Sequence, residues 1–158
     1  MEEHSSPASS YDRPAPFLSQ PRALSALRHE LEAIATAVAP DLARRRAGDP
    51  NSIFELHVAP NRLIAHLGDA GVTFSWVEAS GAQSLSVADG RLLVIQWAGL
   101  ASNTRGVAAL RYARPVSERV YRAEGIDAAH WRWRPEDDNT ADARTYTSDT
   151  LVAEWLAT

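Results

Sequence analysis

Between positions 54 and 76 apolar and polar side chains alternate through three short runs separated by turn residues. Successive side chains of a strand point to opposite faces, so Phe54, Leu56 and Val58 share one face of a first strand and Leu63, Ala65 and Leu67 one face of a second. Residues 59–62, Ala-Pro-Asn-Arg, suit a tight turn with proline at its second position. Keeping both apolar sets on one side requires antiparallel pairs whose residue numbers add to an odd value. A sum of 121 sets Val58 opposite Leu63 and fits the turn. The same logic across Gly68–Gly71 pairs Leu67 with Val72, Ala65 with Phe74 and Leu63 with Trp76. Three strands then agree on one apolar face, and a slip of one residue would turn every side chain over.

Before and after this region the period changes. Leu24, Leu27, Leu31, Ile34 and Val38 recur at helical spacing and fall within about 80° on a helical wheel. Ser19 is placed to cap this helix, with Pro21 in its first turn, where a missing N–H does no harm. Pro40 is expected to close the helix or start a short turn through Asp41 and Leu42, and residues 44–51 read as a polar linker. Near the C-terminus Leu151, Val152, Trp155 and Leu156 mark one side of a short helix capped at Thr147 or Ser148.

The remaining apolar segments read as strands. Asp89-Gly90 predicts a hairpin joining 84–87 to 92–97, and the second segment, apolar on both faces, reads as a central strand. Arg114-Pro115-Val116 is expected to turn 107–113 back onto 117–123, with Arg111 facing Glu118. Residues 130–134, His-Trp-Arg-Trp-Arg, alternate again. The chain is therefore expected to be α+β: one curved antiparallel sheet of about six or seven strands, with an N-terminal helix and a short C-terminal helix on its apolar face. Residues 1–18, rich in Ser, Pro and charge, read as a disordered tail, and 19–158 as a single domain.

Composition narrows the chemistry. Cysteine is absent, which removes disulfides, thiolate metal sites and cysteine nucleophiles. All 16 basic residues are arginine, so there is no lysine to form a Schiff base or to hold a phosphate in a nucleotide loop. Neither a GxxxxGK[ST] nor a GxGxxG pattern occurs, and no serine stands in a GxSxG elbow. The net charge of −4 opposes general attraction to nucleic acid or anionic membranes. With no apolar run near the roughly 20 residues of a membrane span and no secretory pattern at the start, a cytoplasmic protein is expected.

Two constellations carry possible chemistry. The register sum of 121 sets Glu55 across from His66, with His57 diagonal to it, on the face opposite the apolar one. Two imidazoles and a carboxylate at cross-strand distance are a ligand set for zinc or non-haem iron, and a His beside a Glu can act as general base. The competing reading is a solvated sheet face, since no second layer is evident to enclose it, and no cofactor is expected. The second constellation is the arginine and aromatic interleaving that includes Arg111, Arg119, Arg122, Arg132 and Arg134. Such a surface can stack bases and hold phosphates, or meet a partner protein. Trp131 and Trp133 alternate with the arginines at period two, which favours rings inside and charges outside, and nucleic acid is disfavoured.

With no catalytic constellation and five tryptophans available for contact surface, the expected function is a non-catalytic protein-binding or accessory module of the chaperone, immunity or adaptor kind. It would use the sheet face or edge. The alternative is a small-molecule-binding or metal-dependent enzyme centred on Glu55, His57 and His66.

Overall fold

The computed structural model describes residues 16–78, 86–138 and 140–157. Its six strands form one antiparallel sheet in simple meander order, β1 (Leu56–Ala59), β2 (Arg62–Leu67), β3 (Ala70–Val77), β4 (Arg91–Ala98), β5 (Arg114–Gly125) and β6 (Trp131–Pro135). The sheet curves without closing. One face, called inner here, packs on the helix α1 (Arg22–Gly48) and the short helix α2 (Ser148–Trp155). This is the α+β architecture expected from the alternation. Among the described residues no helix is long and apolar enough to cross a membrane.

The β1–β2 register is the sum-121 pairing, with Val58 opposite Leu63 and Leu56 opposite Ala65. Pro60 and Asn61 form the two-residue turn, and Asn61 takes the left-handed φ of 79° that the third position of a type II turn requires. The β2–β3 register is corrected by two residues. Leu67 pairs with Ala70, Ala65 with Val72 and Leu63 with Phe74, because Gly68 at φ 76° makes a two-residue turn where four were expected. A shift of two keeps the face, so Leu63, Ala65, Val72 and Phe74 all remain in the core.

Three further expectations are corrected. Pro40 neither ends nor divides α1, which runs through it to Gly48 and takes in most of the supposed linker. Val38 and Leu42 are both buried on either side of it while Pro40 itself is exposed, so packing offsets the lost backbone bond. Ser19 does not cap the helix: it closes a 3₁₀ turn, Phe17–Ser19, and Pro21 holds the cap position without a side-chain bond. Phe17 is buried against the main core, so the folded chain begins before residue 19, while residues 1–15 lie outside the described residues.

Asp89-Gly90 is not a hairpin. Val87–Asp89 is a 3₁₀ turn, β3 pairs directly with β4, and part of the expected strand at 84–87 lies outside the described residues. Gly90 is extended, and a Cβ there would sit 2.1 Å from the Trp76 ring, so close packing accounts for its glycine. Pro115, expected in a turn, lies within β5 opposite Trp97, beside the irregularity between Gln96 and Trp97 where a strand tolerates proline. Consequently Glu118 faces Ile95, and Arg111 lies outside the sheet with its guanidinium 5.3 Å from the Tyr112 ring.

At the other end, the expected helix start holds. The Thr147 hydroxyl accepts the Thr150 N–H, and Leu151, Val152, Trp155 and Leu156 are buried. Polar contacts lock α2 in place. Trp133 Nε1 donates to Ser148 Oγ at 3.0 Å, Ser148 donates to Glu30 of α1 at 2.8 Å, and Trp155 Nε1 donates to the Tyr121 hydroxyl at 2.9 Å. Each buried ring nitrogen of this pair thus has an acceptor.

Candidate functional site

The outer face is where the candidate residues stand. Glu55, His57 and His66 do come together there: the His66 N–H donates to the Glu55 carbonyl across the β1–β2 pair at 2.8 Å. What the alternation could not reveal is that this face is covered. The β4–β5 connection, residues 99–113, folds back over the sheet as a strap containing the 3₁₀ turn Gly106–Leu110. Leu100, Ala109 and Leu110 of the strap bury Ile64 in a second apolar cluster, flanked by Trp97 and Ala113. His66 is 1% exposed as a result, which corrects the solvated-face reading at that residue.

Each of the three side chains engages the strap. The Gly106 N–H donates to His66 Nε2 at 3.0 Å. An accepting Nε2 requires a neutral ring with its proton on Nδ1. Burial holds His66 below its ordinary pKa; the Glu55 carboxylate opposes that shift, while His57 and Arg105 add to it. Glu55 accepts from Arg105 Nε at 2.7 Å. The His57 ring lies against Gly106, where φ is 68° and a Cβ would stand 3.2 Å from the imidazole. Gly106 is therefore required twice, by backbone conformation and by close approach. The Leu100 N–H adds a bond to the Asp69 carbonyl at 2.8 Å.

These partners occupy the groups that metal ligation would use. His66 Nε2 and a Glu55 oxygen face the strap, and among the described residues no three His, Asp or Glu side chains are grouped to hold a metal ion. The trio works as a catch joining sheet to strap.

The arginines spread over three surroundings. Arg119 is bonded to Asp137 at 3.3 Å, and Arg134 to Glu124 at 3.0 Å and to the Thr140 carbonyl at 2.6 Å. Arg122 lies opposite Arg134 in the β5–β6 pair, while Arg132 donates to the Trp131 carbonyl. Arg111 stands apart beside the 83% exposed Tyr112. Trp131 and Trp133 point into the core at 3% and 0% exposure, so these rings offer no base-stacking platform beside the arginines.

Past the strap, the outer face stays apolar. Leu93 and Val120 are cross-strand neighbours, Ile95 follows Leu93 on the same face, and all three are half-buried. Val77, opposite Arg91, is 49% exposed and Val116 is 60% exposed. On the inner face, Gln96, Ser117, Arg119, Tyr121 and Glu154 line a polar cleft of about 280 Å³, at the lower limit of small-molecule sites. Neither surface was singled out from the sequence: the belt reads as ordinary strand alternation, and the cleft joins residues from three elements. No protein-family model matches the chain, and comparison with curated proteins and with solved structures found no match.

Proposed function

We propose that this chain is a non-catalytic protein-binding module that holds its partner on the outer sheet face beside the strap. The observation that carries the reading is the half-exposed belt of Leu93, Ile95 and Val120, extended by Val77 and rimmed by Arg91, Arg122, Glu118 and Glu124. An apolar centre with an arginine-rich polar rim is the anatomy of a protein interface. A specific interface takes roughly 800 Å² from each side, more than the belt alone offers, so the partner would also cover the rim.

A photo-crosslinking residue at Val120 and another at exposed Arg28 on α1, introduced in the native cell, test this. One partner band at Val120, absent at Arg28 and lost in Ile95→Glu, is expected. Equal labelling at both positions, or a band insensitive to Ile95→Glu, contradicts the reading. A second reading, a small-molecule site on the inner face, is favoured by the polar cleft at Arg119 and Tyr121. Crosslinks confined to the outer face would argue against it.

A further inference from the structure

We propose that the strap is an acid-released cover of the outer face, with His66 as its catch. The strap is fastened at three polar points, Gly106 N–H to His66 Nε2, Arg105 to Glu55 and Leu100 N–H to the Asp69 carbonyl, over the small cluster of Ile64, Leu100, Ala109 and Leu110. The first two depend on one proton. A neutral imidazole accepts the Gly106 N–H; an imidazolium carries N–H on both nitrogens and turns the bond into a repulsion. The charged ring also stands across from the Glu55 carboxylate and competes with Arg105 for it, which weakens the hold of Glu55 on the strap. The arriving proton remains on His66, and no other group changes.

The charged groups facing His66 are Glu55, just before β1, His57 of β1 and Arg105 from the strap; β3 presents Gly71 and Thr73, which do not titrate. With the strap closed, His66 titrates below its ordinary value of 6.5; with the strap open and the ring in water it returns towards that value. The open state therefore binds the proton more tightly, and the closed state loses ground as pH falls through 6.5 towards the closed-state pKa. Opening uncovers Ile64 and Trp97. Trp97 follows Leu93 and Ile95 on the same face of β4, so release would lengthen the apolar surface. That this surface serves a partner rests on the proposal above; the release itself does not, and is measured on the free protein.

Amide exchange on the full chain provides the test. At Leu100, Gly106 and Ala113, exchange corrected for its chemical pH dependence should rise about tenfold between pH about 7.5 and about 5.5, while β3 and β4 stay protected. His66→Gln, whose carbonyl can accept the Gly106 N–H without titrating, should abolish the rise, and His57→Gln should retain it. Strap protection that is constant with pH, an unchanged rise in His66→Gln, or equal loss across β3 and β4 would overturn the proposal. Should His66→Gln not fold, the native chain decides: the His66 ring and the Gly106 amide should shift in one NMR transition, and separate transitions overturn it. Stoichiometric zinc bound through His66 would overturn it equally.

Discussion

The two faces of this one sheet are built differently. The inner face is filled by large side chains that mesh with two helices: Phe74, Trp133 and Tyr121 are 0–1% exposed, and indole and hydroxyl groups tie α1, α2 and β6 together. Among the described residues the outer face is covered at one end only, by a strap whose buried apolar residues are one leucine pair and an alanine laid over Ile64. Hydrophobic stabilisation grows with the apolar area removed from water, at roughly 25 cal/mol per Å². The inner layer therefore sets the stability of the whole fold, and the outer layer only that of the strap. A cover held by a few small contacts and three polar ties can open without the sheet coming apart, and segments that move for function come from this weak end.

The largest effect should come from charging the inner layer. Ile34 is fully buried, and Ile34→Asp should cost at least about 4 kcal/mol in urea unfolding, because an unpaired carboxylate has no partner there. Leu31→Asp is the sharpening control. Leu31, expected at the centre of the helix stripe, is only half-buried and lines a groove with Ala35, Val58 and Leu63. It should cost less than half as much, and equal losses would show that the helix docks differently.

An intermediate and local effect is expected at the catch. Gly106→Ala forces a side chain into a left-handed backbone and against the His57 ring, a strain of roughly 1–3 kcal/mol. Amide exchange should show that loss in the strap, with the unfolding midpoint of β3 and β4 barely moved. A midpoint shift matching the strap's loss would mean that the two layers unfold as one.

The smallest effect belongs to the open belt. Ile95→Ser removes a half-buried methyl surface that no other layer among the described residues covers, and should change stability by only about 0.5 kcal/mol. A cost near that of a core truncation would place Ile95 in the structural rather than the exposed layer.

How much of this was legible in the sequence follows from the range of each interaction. The β1–β2 register, the inward tryptophans of β6 and the Thr147 cap were readable because period-two alternation and capping act between near neighbours. Gly90 misled because a glycine chosen for contact with the Trp76 ring looks the same as one chosen for a turn. Pro40 and Pro115 misled because helix packing and a strand irregularity override their local preference. Glu55, His57 and His66 were correctly gathered on one face, but their surroundings were not foreseen. Gly106 lies 40 residues beyond His66, and 107–113 after it, read as a strand, begins instead in the 3₁₀ turn Gly106–Leu110 of the strap. The one available signal was apolar: Ile64 shares the supposedly wet face with His66, and a buried isoleucine there implies a cover.

Native-state amide exchange against low denaturant, at neutral pH, tests most directly whether the sheet carries two layers of separate stability. Leu100, Gly106 and Ala113 should exchange through a local opening, with a free energy below that of global unfolding and little dependence on denaturant, while Val72, Phe74 and Val94 should exchange only by global unfolding. If the strap amides instead share the free energy and denaturant slope of Phe74 and Val94, the strap is part of the core and the division between the faces is wrong.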